Sequence, residues 1–225
     1  MKYEYLLFNI IVIAGPVVFS FDRRVYYVSR WSMALLASVI VMIPYIIWDT
    51  MVTDSHWWFN EKYTLDFRLA GLPIGEWLFF ITIPFACLFI WEIIVSYLKY
   101  RVIAKFKFFR ILLLFDFPIG ILIYITGKEY TALVLIFLGL SAFVDLFLKT
   151  DMLLQPRTYL YLAIITFLMM IFNGYLTFRP VILYGSSYQL GFRLGTIPLE
   201  DFGYGYTLIL LCTMLFEKLK GGIRG

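Results

Sequence analysis

Charge is scarce in this chain. Only 15% of its 225 residues are Asp, Glu, Lys or Arg, where a soluble domain carries about a quarter. Cysteine is nearly absent: Cys87 and Cys212 both lie inside apolar runs, which excludes an exported disulfide framework. The single histidine, His56, excludes a histidine-rich metal site. Asp145 and Asp151 do not form the aspartate-rich motif that holds magnesium and a diphosphate, which argues against a prenyltransferase. No Gly-x-Gly-x-x-Gly run is present, so no flavin or nicotinamide site is expected, and the expected cofactor set is empty. The last apolar stretch has no lysine at its centre; Lys218 and Lys220 fall at its end, unlike a retinal-binding photoreceptor. No basic patch suggests nucleic acid. The first apolar stretch lacks a basic leader and a small-residue cleavage site, so it reads as a first span rather than a signal peptide.

Apolar and aromatic residues are abundant instead: 62% of the chain is hydrophobic and 20% is Phe, Trp or Tyr. Lipid can absorb that much apolar surface where a soluble core cannot. The aromatic excess calls for an interfacial belt or an aromatic-lined cavity. Spanning a bilayer needs roughly 17–25 apolar residues, and seven stretches approach this: Tyr5–Phe21, Trp31–Trp48, Trp77–Leu98, Ile111–Thr126, Tyr130–Leu148, Tyr159–Phe178 and Phe202–Leu219. The expected fold is an all-α membrane protein of about seven transmembrane helices, one integral-membrane domain over residues 1–225. Pro16, Pro44, Pro84 and Pro118 fall inside spans and predict kinks or local unwinding. Thirteen of the nineteen Lys and Arg gather on one side, in the loops near Phe21, Lys99 and Lys149 and at the C-terminus, Arg224 included. The positive-inside rule then places the N-terminus outside the cell membrane and the C-terminus in the cytoplasm. The aromatic loop His56, Trp57, Trp58 and Phe59 is expected in the membrane interface.

The chain also repeats itself. Tyr63, Leu65, Phe67, Arg68 and Leu69 recur as Tyr188, Leu190, Phe192, Arg193 and Leu194, at a constant offset of 125. At the same offset Pro73 pairs with Pro198, Glu76 with Asp201, Cys87 with Cys212 and Glu92 with Glu217. Two repeats follow, 1–98 and 130–219, each of three helices, with the fourth helix as spacer. Corresponding helices are four spans apart, so the halves face the same way, as parallel repeats, and a binding site is expected between them.

Pro73 with Glu76, and Pro198 with Glu200 and Asp201, open apolar helices. A proline and an acid at a helix start are ordinary signals. Yet these acids recur in both halves among aromatics, and acids in membrane segments mark functional sites. Glu92 lies sixteen residues from Glu76, roughly 24 Å along a helix and nearly on its opposite face. It and Glu217 are expected to pair with Lys or Arg on the basic side. Cys87 and Cys212 read as packing residues. Arg68 and Arg193 are placed either to orient the carboxylates or to bind headgroups. Trp48 and Asp49 end the second span, with Asn173 as the counterpart of Trp48. Asp49 reads as a loop entry or as a site mouth, whereas Asn173, inside an uncharged span, is the better functional candidate.

The doubled segment Pro73-Ile74-Gly75-Glu76-Trp77-Leu78-Phe79-Phe80 and Pro198-Leu199-Glu200-Asp201-Phe202, with Trp57-Trp58-Phe59-Asn60, resembles the twin Pro-x-acid-acid signature of the lycopene cyclase domain family. These are small membrane-integral, flavin-independent carotenoid cyclases, and the resemblance covers nearly the whole chain. One departure is Gly75, which stands where the family has a first acid. The resemblance implies lycopene β-cyclase activity: acid-initiated closure of the ψ-ends of lycopene through a carbocation, giving γ- and then β-carotene. It implies Glu76, Glu200 and Asp201 as catalytic acids and bases. Trp77, Phe79, Phe80 and Phe202 would face the substrate, with Trp48, Asp49, Asn173, Arg68 and Arg193 at the site. Lycopene or a related linear carotenoid, membrane lipids and other carotenoid-pathway enzymes are the implied partners. A multi-pass transporter of a small or lipophilic solute is the alternative; it fits the repeats and prolines but not the shortage of polar residues within the spans.

Overall fold

The computed structural model describes residues 1–222; Arg224, counted above among the basic residues, lies outside them. Among them are seven α-helices: α1 (Glu4–Phe19), α2 (Trp31–Val52), α3 (Ile74–Tyr97), α4 (Lys107–Tyr124), α5 (Glu129–Leu148), α6 (Pro156–Phe178) and α7 (Leu199–Gly222). Five segments are long and apolar enough to cross a bilayer: Tyr27–Val52, Ile74–Tyr97, Glu129–Leu148, Pro156–Phe178 and Leu199–Gly221. Helix α1 is shorter, at 16 residues. It ends at Ser20, whose hydroxyl donates to the Pro16 carbonyl and accepts the Trp31 indole N–H. Helix α4, at 18 residues, carries Lys107, Arg110 and Asp116. The helices continue through Pro16, Pro44, Pro84 and Pro118 without leaving α geometry. Large side chains such as Ile10, Phe115, Phe147 and Phe167 are exposed around the outside. In a soluble protein that would be costly, whereas against lipid it is neutral.

The repeat is built into the helix boundaries. Helices α5, α6 and α7 begin 125 residues after α1, α2 and α3 respectively. Helix α1 packs on α3 as α5 packs on α7, α2 and α6 each touch both α3 and α7, and α3 meets α7 at the centre. Helix α4 leans on α5 outside this arrangement, the spacer position expected from the sequence.

Six short strands sit at one end of the bundle. In each half a two-residue turn folds the chain back just before the central helix: β2 (Arg68–Leu69) pairs with β3 (Leu72–Pro73), and β5 (Arg193–Leu194) with β6 (Ile197–Pro198). Ala70 and Gly71 both take positive φ in the first turn, 50° and 82°, the conformation of a tight hairpin whose twist matches its strands. The strands β1 (Trp57–Phe59) and β4 (Ile182–Tyr184) pair antiparallel across the two halves, Trp58 opposite Leu183. Those two residues are themselves 125 apart, so the pseudo-two-fold axis passes through their pair, as in an isologous interface.

Charged residues gather at the opposite end. Glu92 pairs with Arg30 and with Lys220 (2.5 Å), and Glu217 pairs with Lys220 (2.5 Å) and accepts the Trp91 indole N–H (2.8 Å). Both acids therefore have the basic partners that their position predicted. Cys87 and Cys212 are buried free thiols.

Candidate active site

Helix α3 begins at Ile74 and α7 at Leu199, three residues before the apolar runs suggest. Glu76 and Asp201 are therefore third residues of their helices. The position usually serves the helix's own free N–H groups. Here no side chain caps α3, and Glu76 turns instead toward α1, where Tyr5 Oη donates to its Oε2 at 2.5 Å. The second half repeats the device: Tyr130 Oη of α5 donates to Asp201 Oδ1 at 2.7 Å. The tyrosines are 125 residues apart, as are the acids. Gly75 makes the first contact possible, because a Cβ there would meet the Tyr5 ring at 2.7 Å.

Each carboxyl then takes different further partners. Asp201 Oδ2 accepts Asn173 Nδ2 at 2.9 Å and Tyr184 Oη at 2.8 Å, so three donors converge on it. Burial and the neighbouring Asp201 carboxylate push the Tyr184 hydroxyl well above its ordinary range, which keeps it a donor. Glu76 instead shares the cavity wall with Asp49, and Asp49 Oδ1 accepts Tyr204 Oη at 2.9 Å. Helix α2 runs on to Val52, so Asp49 sits inside the helix rather than at a loop entry. Asp49, Glu76 and Asp201 are 2%, 5% and 6% exposed.

All three acids and Asn173 line one cavity of about 410 Å³, within the range of small-molecule sites. Its polar end holds these groups with Tyr130, Tyr184 and Tyr204. The rest is apolar and aromatic, with Phe8, Trp57, Phe59, Phe79 and Phe172 near the acids and Phe19, Ile90 and Ile165 farther away. On α3 the lining runs from Glu76 to Ile90, fourteen residues or roughly 21 Å of helix. At the matched place on the other side of the axis, Tyr45 of α2 and Phe137 of α5 pack ring to ring at 4.8 Å. Their counterparts 125 residues away are Met170 and Val12, of which Val12 lines the cavity.

The comparisons with known proteins agree with this doubling. The family model described as lycopene cyclase matches residues 2–94 and again residues 127–219. Together the two matches cover well over half of the chain. The chain belongs to the lycopene cyclase family. It is therefore an enzyme of the carotenoid cyclase kind, and the twin matches are the two parallel repeats. No curated protein and no solved structure matches it at a comparable level.

Within this cyclase the residues singled out from sequence are placed unequally. Glu76, Asp201, Asp49, Asn173 and Phe79 line the cavity. Glu200, expected to share it with Asp201, does not: it accepts Thr131 Oγ1 and the Leu190 N–H, both at 2.7 Å, and ties α7 to α5 and the preceding loop. The reason is helical phase, since neighbouring residues point about 100° apart and only one of the pair can face inward. Phe80 is buried against Tyr45 instead, at 5.9 Å between ring centroids. Trp77 donates its indole N–H to the Leu69 carbonyl. Trp48 packs on His56, and Phe202 is buried outside the lining. Arg68 donates to Thr64, and Arg193 donates to the Thr196 carbonyl and lies over the Tyr184 ring; among the described residues neither touches a carboxylate.

Sequence reasoning passed over Tyr5, Tyr130, Tyr184 and Tyr204. The constant offset was a usable signal for the first two, because Tyr5 and Tyr130 match as the acids do. The aromatic loop packs against the protein itself. Trp57 and Phe59 are buried, and only Trp58 reaches outward. His56 is 4% exposed, stacked on Tyr188 at 3.9 Å and held by Glu129 at 3.0 Å.

Proposed function

We propose that the protein is a lycopene β-cyclase whose proton donor is the Asp49–Glu76 pair and whose proton acceptor is Asp201. The observation that carries this is the convergence of these three carboxyls on one end of a long, apolar, aromatic-walled cavity. The proton shared by Asp49 and Glu76 adds to the terminal double bond of a ψ-end. The resulting tertiary cation is attacked by the nearby internal double bond, one carbon–carbon bond forms, and the six-membered ring closes. Loss of a proton from the ring to Asp201 restores a neutral isomer of the substrate. No electron is gained or lost, and the enzyme resets when the proton returns from Asp201 to the pair within the same polar cluster.

The surroundings suit each step. General acid–base catalysis needs the groups within reach of one reacting centre. Tyr204, Tyr184, Phe172 and Trp57 present π-faces to a cation, each worth up to about 2 kcal/mol when desolvated. Two hydroxyls and an amide on Asp201 are preorganised donors for a carboxylate as it develops charge. Glu200 acts as a positioning residue that fixes the start of α7. With the acids at one end, a single ψ-end occupies the site at a time. We place the basic end, with Arg30, Lys99 and Lys220, in the cytoplasm of a cell-membrane protein, following the positive-inside rule.

The test is pigment analysis of lycopene-accumulating cells expressing the protein. γ-Carotene appears first and β-carotene later. Glu76→Gln and Asp201→Asn, at equal protein levels, leave lycopene unconverted. Full conversion by both variants, or ε-rings as the only cyclic product, would overturn the assignment.

A further inference from the structure

A second cavity, of about 420 Å³, lies at the charged end of the bundle. Trp91 of α3 and Glu217 of α7 line it, fifteen and sixteen residues beyond Glu76 and Asp201, or roughly 23 Å along the helices. It is separate from the carboxyl cluster, and cyclisation gives it no role.

Its distinguishing group is Arg157, near the start of α6. The residue is 8% exposed. Its guanidinium lies over the Trp91 ring at 5.2 Å and the Tyr100 ring at 5.4 Å. Nε donates to Gln155 Oε1 at 2.6 Å, and Nη1 reaches the Leu98 carbonyl at 3.5 Å. No ion pair to an acid within 4.0 Å forms on it among the described residues. Glu217 acts on it electrostatically, but that carboxylate is already held by Lys220 and by the Trp91 indole. A guanidinium has five donors, and among the described residues two of them have hydrogen-bond partners. Holding such a charge away from water without a paired acid is unfavourable, so an anion in the cavity would be stabilised there. Lys149 and Lys218 stand on the exposed rim of the same cavity.

We infer that this cavity binds a phosphate-type oxyanion, with Arg157 as its buried anchor and Lys149 and Lys218 as its rim. The planar guanidinium fork suits two phosphate oxygens at once, and the lysines supply charge without fixed geometry. Leu148, Met152 and Trp91 give the wall an apolar portion, which suits the carbon atoms next to a phosphoester. The phosphate can come from an anionic lipid headgroup or from a soluble phosphate compound, and the two sources separate experimentally.

Purified, delipidated protein in a neutral detergent is titrated with dioleoylphosphatidylglycerol, with dioleoylphosphatidylcholine, and with inorganic phosphate and pyrophosphate. Binding is read by native mass spectrometry and by the thermal unfolding midpoint. The wild type is expected to hold phosphatidylglycerol at least tenfold more tightly than phosphatidylcholine, and Arg157→Gln to lose that preference. A midpoint raised by inorganic phosphate or pyrophosphate alone assigns the site to a soluble phosphate; a response to phosphatidylglycerol alone assigns it to a headgroup. The double variant Lys149→Gln/Lys218→Gln changes only exposed residues and is expected to weaken binding about tenfold, so it decides the matter if Arg157→Gln does not fold. A wild type that responds to none of these probes, or a double variant that binds as the wild type does, overturns the inference.

Discussion

Replacing Asp49 by Asn tests the proton-sharing pair most directly. The exchange keeps the shape of the side chain and leaves a carbonyl oxygen to accept from Tyr204, now 2.9 Å from Asp49 Oδ1. It removes the second carboxyl from the proposed proton-sharing pair with Glu76. The new amide donates to Glu76, whose other oxygen already accepts Tyr5 at 2.5 Å. Two donors on Glu76 stabilise its ionised form, which cannot protonate an alkene. A positioned general acid contributes about 10²–10⁴ in rate, or about 2.7–5.4 kcal/mol of barrier at 1.36 kcal/mol per tenfold. The expected loss of cyclisation rate falls in that range, with thermal stability within about 1 kcal/mol of wild type because the buried polar atoms keep partners. The control is Glu200→Gln, outside the cavity. It weakens the bonds to Thr131 and Leu190 and should cost about 1–3 kcal/mol of stability with less than a tenfold change in rate per folded molecule. The assay is initial lycopene consumption in membranes carrying equal amounts of folded protein. Retention of more than half the wild-type rate by Asp49→Asn, or an equal loss of rate in Glu200→Gln, would refute the proton-sharing pair.

Two further outcomes follow from the same geometry. Tyr5→Phe and Tyr130→Phe each delete one hydrogen bond to a buried acid, at 2.5 and 2.7 Å. Each should cost about 1.5–3 kcal/mol of stability, the range for bonds to charged groups, and lower the rate at least tenfold; unchanged melting and unchanged rate in both would show that the tyrosines only pack. His56 is titrated in a different way. Burial lowers its pKa from the ordinary 6.5, partly offset by Glu129. The unfolded chain therefore binds the proton more readily than the folded one. The stability contribution of His56 is complete above pH 6.5 and declines as the pH falls below it, toward the lowered folded value. Melting of the wild type between pH 7.5 and 5.5 should show this decline, and His56→Gln should flatten it. An equal slope in both proteins would place the sensitivity elsewhere.

Much of this enzyme was legible without coordinates. Lipid as solvent forces long apolar helices, so their number and approximate ends follow from composition. The offset of 125 fixed the correspondence of α1, α2 and α3 with α5, α6 and α7, because two copies of one fold must use matching positions for the same contacts. It also drew attention to Glu76 and Asp201. Helix phase was legible too where only one helix mattered, as in the separation of Glu92 from Glu76. The aromatic assignments carried over less well: of Trp77, Phe79, Phe80 and Phe202, only Phe79 lines the cavity.

Tertiary packing decided the rest. Adjacent Glu200 and Asp201 are both acids at one helix start, and only the direction of α7 against α5 and α6 shows which of them faces inward. Asp49 looks like a helix end until α2 is seen to continue and to lean on α3 and α7. Tyr5 reaches Glu76 across seventy-one positions of chain, a distance over which no local pattern can speak. The repeat by itself suggests two equal halves, yet Phe137 packs on Tyr45 where its counterpart Val12 lines the cavity. Sequence sets which groups are costly to leave in lipid; where each finds its partner depends on helix rotation and on which side chains fill the space between helices, and those are properties of the packed molecule alone.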